Sequence, residues 1–181
     1  EGLTVPSDRN VADCAAVGIA YQSPHHLARH AEYMILSDVT PLSSTAVAYD
    51  RTFPEVDDPA CFLDRSCDVL RTWNSVEYES TFFKVAYDWG KDFRWVDWEG
   101  GQALVGRGWL PESAHGDGGN NHIHQNYELD VYLEHADGAR RFYGFYAEAE
   151  YSGVSDDIAR SLSLSSGQSS LERADRYLDE N

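Results

Sequence analysis

Lysine is nearly absent from this chain. Of fourteen basic residues only Lys84 and Lys91 are lysines, the rest being arginine, against thirty-one acids and a net charge of −17. So acidic a surface repels phosphate backbones and anionic lipid faces, which excludes nucleic acid as a partner and argues against an anionic membrane face. Excess acid with little lysine fits two origins equally well: a high-salt environment, where screening removes self-repulsion, or a GC-rich genome. Long apolar runs are missing too. A membrane helix needs about 20 consecutive apolar residues, and the runs here reach only a few, so no transmembrane span is expected. Methionine occurs once, at Met34, and the chain opens Glu-Gly-Leu-Thr. The numbering is therefore expected to start after a removed signal peptide or at another boundary.

Cysteine is scarce, with three in the chain. Cys61 and Cys67 lie six apart in a polar, Pro-containing stretch, either bridged or as two free thiols; the short loop permits a disulfide, which is the expectation. Zinc would need a second Cys or His pair at usable spacing, and none follows. Cys14, among alanines and valines, reads as a small buried residue. With the absent start, the Cys pair points to a periplasmic or secreted bacterial protein. Two nucleotide and hydrolase signatures are lacking. Gly116-Asp-Gly-Gly-Asn has neither the Lys nor the following helix of a phosphate loop, and no serine sits in a Gly-x-Ser-x-Gly turn.

What is present is enough for one domain. The 181 residues, 42% hydrophobic and 13% aromatic, can bury roughly two-thirds of their unfolded surface without a metal. Residues 1–13 read as a leader and 14–181 as a single domain. Residues 14–22 suit a strand. Ser23-Pro24 reads as a helix start with Ser as its cap, and Leu27, Ala31, Met34 and Ile35 give one apolar helix face. Residues 54–68 form a loop around the Cys pair. Then the pattern turns to strands: Phe83, Val85, Tyr87 and Trp89 alternate with polar partners, residues 92–98 continue, and Gly100-Gly101 makes a turn. Tyr127, Leu129, Val131 and Leu133 alternate with Glu128, Asp130, Tyr132 and Glu134. Asp137-Gly138 reads as a hairpin turn into residues 140–151. Residues 154–180 switch to helical spacing, with Ser155 as a cap and Ile158, Leu162, Leu171, Ala174 and Leu178 as apolar contacts. Gly167 weakens the prediction of one unbroken helix.

A curved antiparallel sheet must cover one face, and the terminal helix is its natural cover. The order of elements resembles the START-like helix-grip superfamily, which holds StAR-related lipid-transfer domains, polyketide cyclases and Bet v 1-like proteins. The residues that carry the resemblance are Val17-Gly-Ile-Ala-Tyr-Gln-Ser-Pro-His-His-Leu27, the closing Ser37-Asp38, Asp88-Trp-Gly-Lys-Asp-Phe-Arg-Trp95 and the C-terminal amphipathic segment. The loop at 54–68 and Lys91, where an Arg is common, depart from it. The resemblance implies an α+β fold, a curved sheet wrapped on a long C-terminal helix, with an interior cavity for an apolar small molecule such as a lipid, sterol or aromatic compound. It implies no cofactor and no single activity. From the alternation, Tyr87, Trp89, Trp95, Trp109 and Tyr146 are the expected cavity walls, with Arg94 or Arg107 as a polar anchor. A filled aromatic core is the competing reading of the same rings.

An enzyme is the alternative, either cyclase-like or metal-dependent. Gly116, His122, His124 and Glu128 match the first metal motif of cupins, where two imidazoles and a carboxylate at even spacing share one strand face. No second motif with its proline follows. Moreover, Glu128 shares a face with Asp130 and Glu134, which is expected to be solvated, while Tyr127, Leu129, Val131 and Leu133 face the core. No functional metal site is expected there.

Overall fold

The computed structural model describes residues 9–79, 84–117, 121–151 and 153–181. Phe83, expected in a strand, and residues 1–8 of the expected leader lie outside them. Seven long or medium strands and one short strand form a single antiparallel sheet. In chain order they are β1 (Ala15–Ser23), β2 (Ala46–Thr52), β3 (Val69–Glu79), β4 (Lys84–Trp98), β5 (Gly101–Trp109), β6 (Ala114–His115), β7 (His122–His135) and β8 (Gly138–Glu150). Among the described residues two α-helices accompany them, α1 (Leu27–Met34) and α2 (Asp156–Glu180). The spatial order is β1-β8-β7-β5-β4-β3-β2, with β6 paired to β7. The first strand thus lies beside the last, and α2 crosses the sheet's inner face. This is the helix-grip architecture.

Turn chemistry sets the register. Gly101 and Gly138 take φ of 125° and 122°, a region that disfavours any Cβ. A side chain at Gly138 would also collide with the backbone of Ser23 and Pro24, so the β7–β8 turn can pack on the end of β1 only as glycine. α2 runs unbroken through Gly167, where a Cβ would stand 2.9 Å from Ile19 Cδ1. The glycine that weakened the helix prediction is where α2 packs on Ile19 of β1.

The start of α1 differs from the sequence expectation. Ser23 is the last residue of β1, not a helix cap; its hydroxyl donates to Asp175 of α2 (2.6 Å). His26 stands at the N-cap without a side-chain cap bond, and Glu134 of β7 accepts from Leu27 N instead (3.2 Å). The acid arrives from another element, so no local pattern could show it. Residues 11–13 form a short 3-10 turn, and Arg9 pairs with Glu148 of β8.

The main core lies where α1 and the C-terminal half of α2 meet the sheet, joining Leu27, Ala31, Met34, Phe62, Leu70, Leu104, Ala174 and Leu178. A smaller cluster of Val85, Leu110, Ala114 and Ile123 lies elsewhere on the sheet. Leu171 and Leu178 are buried, whereas Ile158, expected to be a packing residue, is 50% exposed. Cys61 and Cys67 are joined by a disulfide. Their loop lays Phe62 against Trp95, whose Nε1 donates to Phe62 O (2.9 Å).

His30, on α1, is 1% exposed and neither ring nitrogen has a hydrogen-bond partner among the described residues. It packs against Tyr33 and Tyr132. Burial, then the charges of Arg141 and His25, hold its imidazole down to about 3 from 6.5. Between those values the unfolded chain binds a proton that the folded chain does not. His30 therefore subtracts stability as pH falls from about 6.5 toward 3, by at most about 1.4 kcal/mol per pH unit, and has no effect above that window. His30→Phe is expected to lose less stability than the parent between about pH 7 and about pH 4.5 in urea unfolding. Equal losses would show that His30 does not govern this slope.

Candidate functional site

Between the two cores the sheet and α2 part to leave a cavity of about 580 Å³. Its walls follow strand parity. β4 contributes Val85, Tyr87, Trp89, Lys91 and Phe93; β7 contributes Asn126, Glu128, Asp130 and Tyr132; β8 contributes Arg141, Tyr143, Phe145 and Ala147. β2 adds Tyr49 and Arg51, and α2 adds Leu162, Leu171, Ala174 and a stripe of serines. β5 contributes none, because its inward positions there are Gly106 and Gly108. A Cβ on Gly106 would stand 3.0 Å from the Phe93 ring, and one on Gly108 would stand 3.4 Å from both Lys91 Cγ and Glu128 Cβ. The bare backbone of β5 lets side chains from β4 and β7 meet across it.

They meet as ion pairs. Register runs Lys91–Gly108–Glu128, and Lys91 Nζ lies 2.6 Å from Glu128 Oε2. Tyr143 OH donates to the other oxygen of Glu128 (2.6 Å). One row along, Arg141 pairs with Asp130 through two nitrogens, and Tyr132 OH donates to Asp130 Oδ2 (2.8 Å). Tyr33 OH is hydrogen-bonded to Tyr132 OH. Burial disfavours the Lys91 ammonium, but Glu128 and Tyr49 outweigh it and raise the lysine pKa. Burial and, after it, Glu128 push the Tyr143 phenol well above its ordinary value, and burial pushes Tyr33 up to about 12. These phenols are donors at any physiological pH.

The polar face of β7 is therefore the inner one, contrary to the expectation from alternation. Glu128 and Asp130 point into the cavity because cations on β4 and β8 await them. Leu129, on the opposite face, is 45% exposed. Tyr127 on that outer face is buried, near the Gln125 side chain that bonds Asn10 of the leading segment.

The expected site residues divide. Tyr87 and Trp89 line the cavity; Trp89 Nε1 donates to Tyr49 OH (3.2 Å). Trp95 shares their parity but packs beneath the disulfide loop, beyond the cavity. Arg94, Arg107, Trp109 and Tyr146 fall on the face away from α2. There Arg107 grips the buried Asp92 with two nitrogens, and Arg94 lies 3.8 Å from the same carboxylate. Arg107 and Arg94 are thus occupied on the wrong face to anchor a cavity ligand. The charged wall residues missed were Lys91, Asp130, Arg141 and Arg51, together with Glu128, which was considered only as a metal ligand. A signal for the first existed: Lys91 has the parity of Tyr87, Trp89 and Phe93, and a lone lysine on an aromatic face demands a carboxylate.

His122, His124 and Glu128 are not brought together. A register shift between Ile123 and Gln125 switches the alternation. Ile123 and Glu128 line the cavity, while His122 stacks with His124 and meets His115 beside the exposed Glu150. Among the described residues no group of three or more His, Cys, Asp or Glu converges to hold a metal. The even spacing that suggested a shared face is broken by the bulge.

The helix-grip fold, with its cavity between sheet and terminal helix, is the START-like, Bet v 1-like fold. Solved structures agree. TTHA0849 of Thermus thermophilus superposes with a TM-score of 0.62 at 17% identity, over 91% of this chain and 97% of that one. A STAR-related lipid transfer protein from Xanthomonas axonopodis gives 0.64 at 11% identity, over 91% and 85%. The Bet v 1-like Ara h 8.0201 gives 0.53 at 10% identity, over 93% and 99%. No family model and no curated protein matches the sequence.

The Lys91–Glu128 pair gives a direct test. Glu128→Leu would leave a buried ammonium unpaired and is expected to cost about 3 kcal/mol, whereas Lys91→Met with Glu128→Leu together should recover most of it. Urea unfolding of the parent and the two variants measures this. A double variant as unstable as Glu128→Leu would mean the pair is not coupled.

Proposed function

We propose that the protein binds and carries an apolar small molecule inside the cavity between the sheet and α2. The observation that carries this reading is the cavity itself: about 580 Å³, bordered by ten aromatic side chains, within the size and character of sites for small organic ligands. A filled aromatic core would leave no such volume. Tyr87 and Trp89 are its expected contacts from β4, their rings set edge to face. The name of the Xanthomonas axonopodis protein, STAR-related lipid transfer protein, supports a lipid or similar molecule.

An exported, periplasmic or extracellular location goes with this reading. The Cys61–Cys67 disulfide supports it, since such bonds persist in oxidising compartments. Among the described residues no helix is long and apolar enough to cross a membrane.

The neutral dye Nile red tests the reading. It is expected to gain fluorescence with the protein at one-to-one stoichiometry, and Ser166→Trp, which fills the cavity from α2, is expected to weaken that binding at least about tenfold. No binding by the parent, or equal binding by both proteins, would overturn the proposal.

A further inference from the structure

We propose that the ligand of this cavity is an organic monoanion, its carboxylate seated at Arg51 and its apolar body against the ring wall. The inference rests on the cavity-binding reading above and adds the chemistry of the ligand's head.

The argument is one of charge. The chain as a whole carries −17, yet the charged side chains bordering the cavity are three cations and two anions: Arg51, Lys91 and Arg141 against Glu128 and Asp130. The sign reverses inside. Lys91 and Arg141 each have a carboxylate partner. Both carboxylates also accept from a phenol, Tyr143 or Tyr132, and so are spoken for.

Arg51 is the cation left over. It is 6% exposed, and no carboxylate lies within 4 Å of it among the described residues. Its bonds go to neutral oxygens: Nε donates to Asn74 Oδ1 (2.9 Å) and Nη1 to Met34 O (2.7 Å) and Tyr33 O (3.3 Å). Nη2 donates to nothing among the described residues. A buried guanidinium with only neutral acceptors carries a desolvation cost that an anion would relieve. Register places Arg51 opposite Asn74 and Asn74 opposite Trp89, whose ring lies under Lys91 Nζ at 4.6 Å, so a second cation is close by.

The chemistry of the head follows. A carboxylate can accept from Nη2, the one guanidinium nitrogen without a partner among the described residues, and neutralises one charge. A dianion such as a phosphate monoester would exceed the single uncompensated charge and meet the two carboxylates of the wall. The body of the ligand meets Tyr49 and Phe93, which flank the guanidinium at 5.9 and 5.6 Å.

Displacement of Nile red by dodecanoate, dodecanol and dodecylammonium, equal in chain and different in charge, separates the possibilities at about pH 8. Dodecanoate is expected to compete about tenfold more tightly than dodecanol, with dodecylammonium weakest. Arg51→Gln should bring acid and alcohol to parity. Because Arg51 also ties down the end of α1, Glu128→Gln serves as a second variant: it frees the charge of Lys91 and should widen the preference for the acid. Dodecanol competing as well as dodecanoate in the parent would overturn the head-group inference while leaving the cavity reading intact. So would a folded Arg51→Gln that kept the tenfold preference, or, should Arg51→Gln not fold, a Glu128→Gln that left the preference unchanged. If neither Nile red nor any dodecyl compound binds, the cavity reading fails and this inference with it.

Discussion

Two carboxylates sit on the inner face of β7, and the interior is organised by what it takes to partner them there. Glu128 needs Lys91 from β4, and Asp130 needs Arg141 from β8. Lys91 can reach Glu128 only because β5 passes between them as bare backbone at Gly108. The same missing side chains that permit the ion pair also leave room above the sheet. A fully apolar inner face would pack shut against α2, as it does around Leu104 and Leu178, whereas a paired and hydrogen-bonded polar face holds its side chains in place at the wall. Cavity and charge network are one feature.

The fold was legible in the sequence to the extent that it rests on periodicity. The switch from two-residue to helical spacing after Gly153, the Asp137-Gly138 hairpin and the strand pattern of β4 are local, and the sheet wrapped on a terminal helix follows from them. The disulfide was legible in the spacing of Cys61 and Cys67. What local pattern could not carry was the sense of each face. In β7 the apolar side chains look like core and the acids look like surface, yet the face was decided by cations on other strands, at Lys91 and Arg141. The bulge at Ile123–Gln125 was equally silent, and together with the strand's rise of about 3.3 Å per residue it keeps Glu128 apart from His122 and His124.

Arginine misled for a related reason. Arg94 and Arg107 stand among tryptophans in sequence, but Asp92, buried on the face away from α2, claims them both. Arg51, by contrast, stands in a short strand without a tryptophan beside it. It is placed by its bonds to the end of α1 and to Asn74. Which arginine borders the cavity depends on where the acids already are, and that is a property of the folded sheet.

The two halves of α2 hold on by different means. Toward its C-terminus Leu171, Ala174 and Leu178 are buried, and Asp175 accepts from Tyr21 and Ser23 of β1. Toward its N-terminus Ile158, Leu162 and Leu164 remain 40–50% exposed, and the contact with residue 44 is made by hydroxyls, Ser44 with Ser166 (2.9 Å) and Ser170. Hydroxyl contacts exchange for water at little net cost, while buried leucines do not. The helix is thus held unevenly: its C-terminal turns are fixed by buried side chains, whereas the turns bearing Ser166 and Ser170 meet Ser44 through hydroxyls. The border of the cavity along residues 43–45 and the serines of α2 is therefore closed by polar contacts that water can replace, and a ligand entering there would disturb no buried leucine.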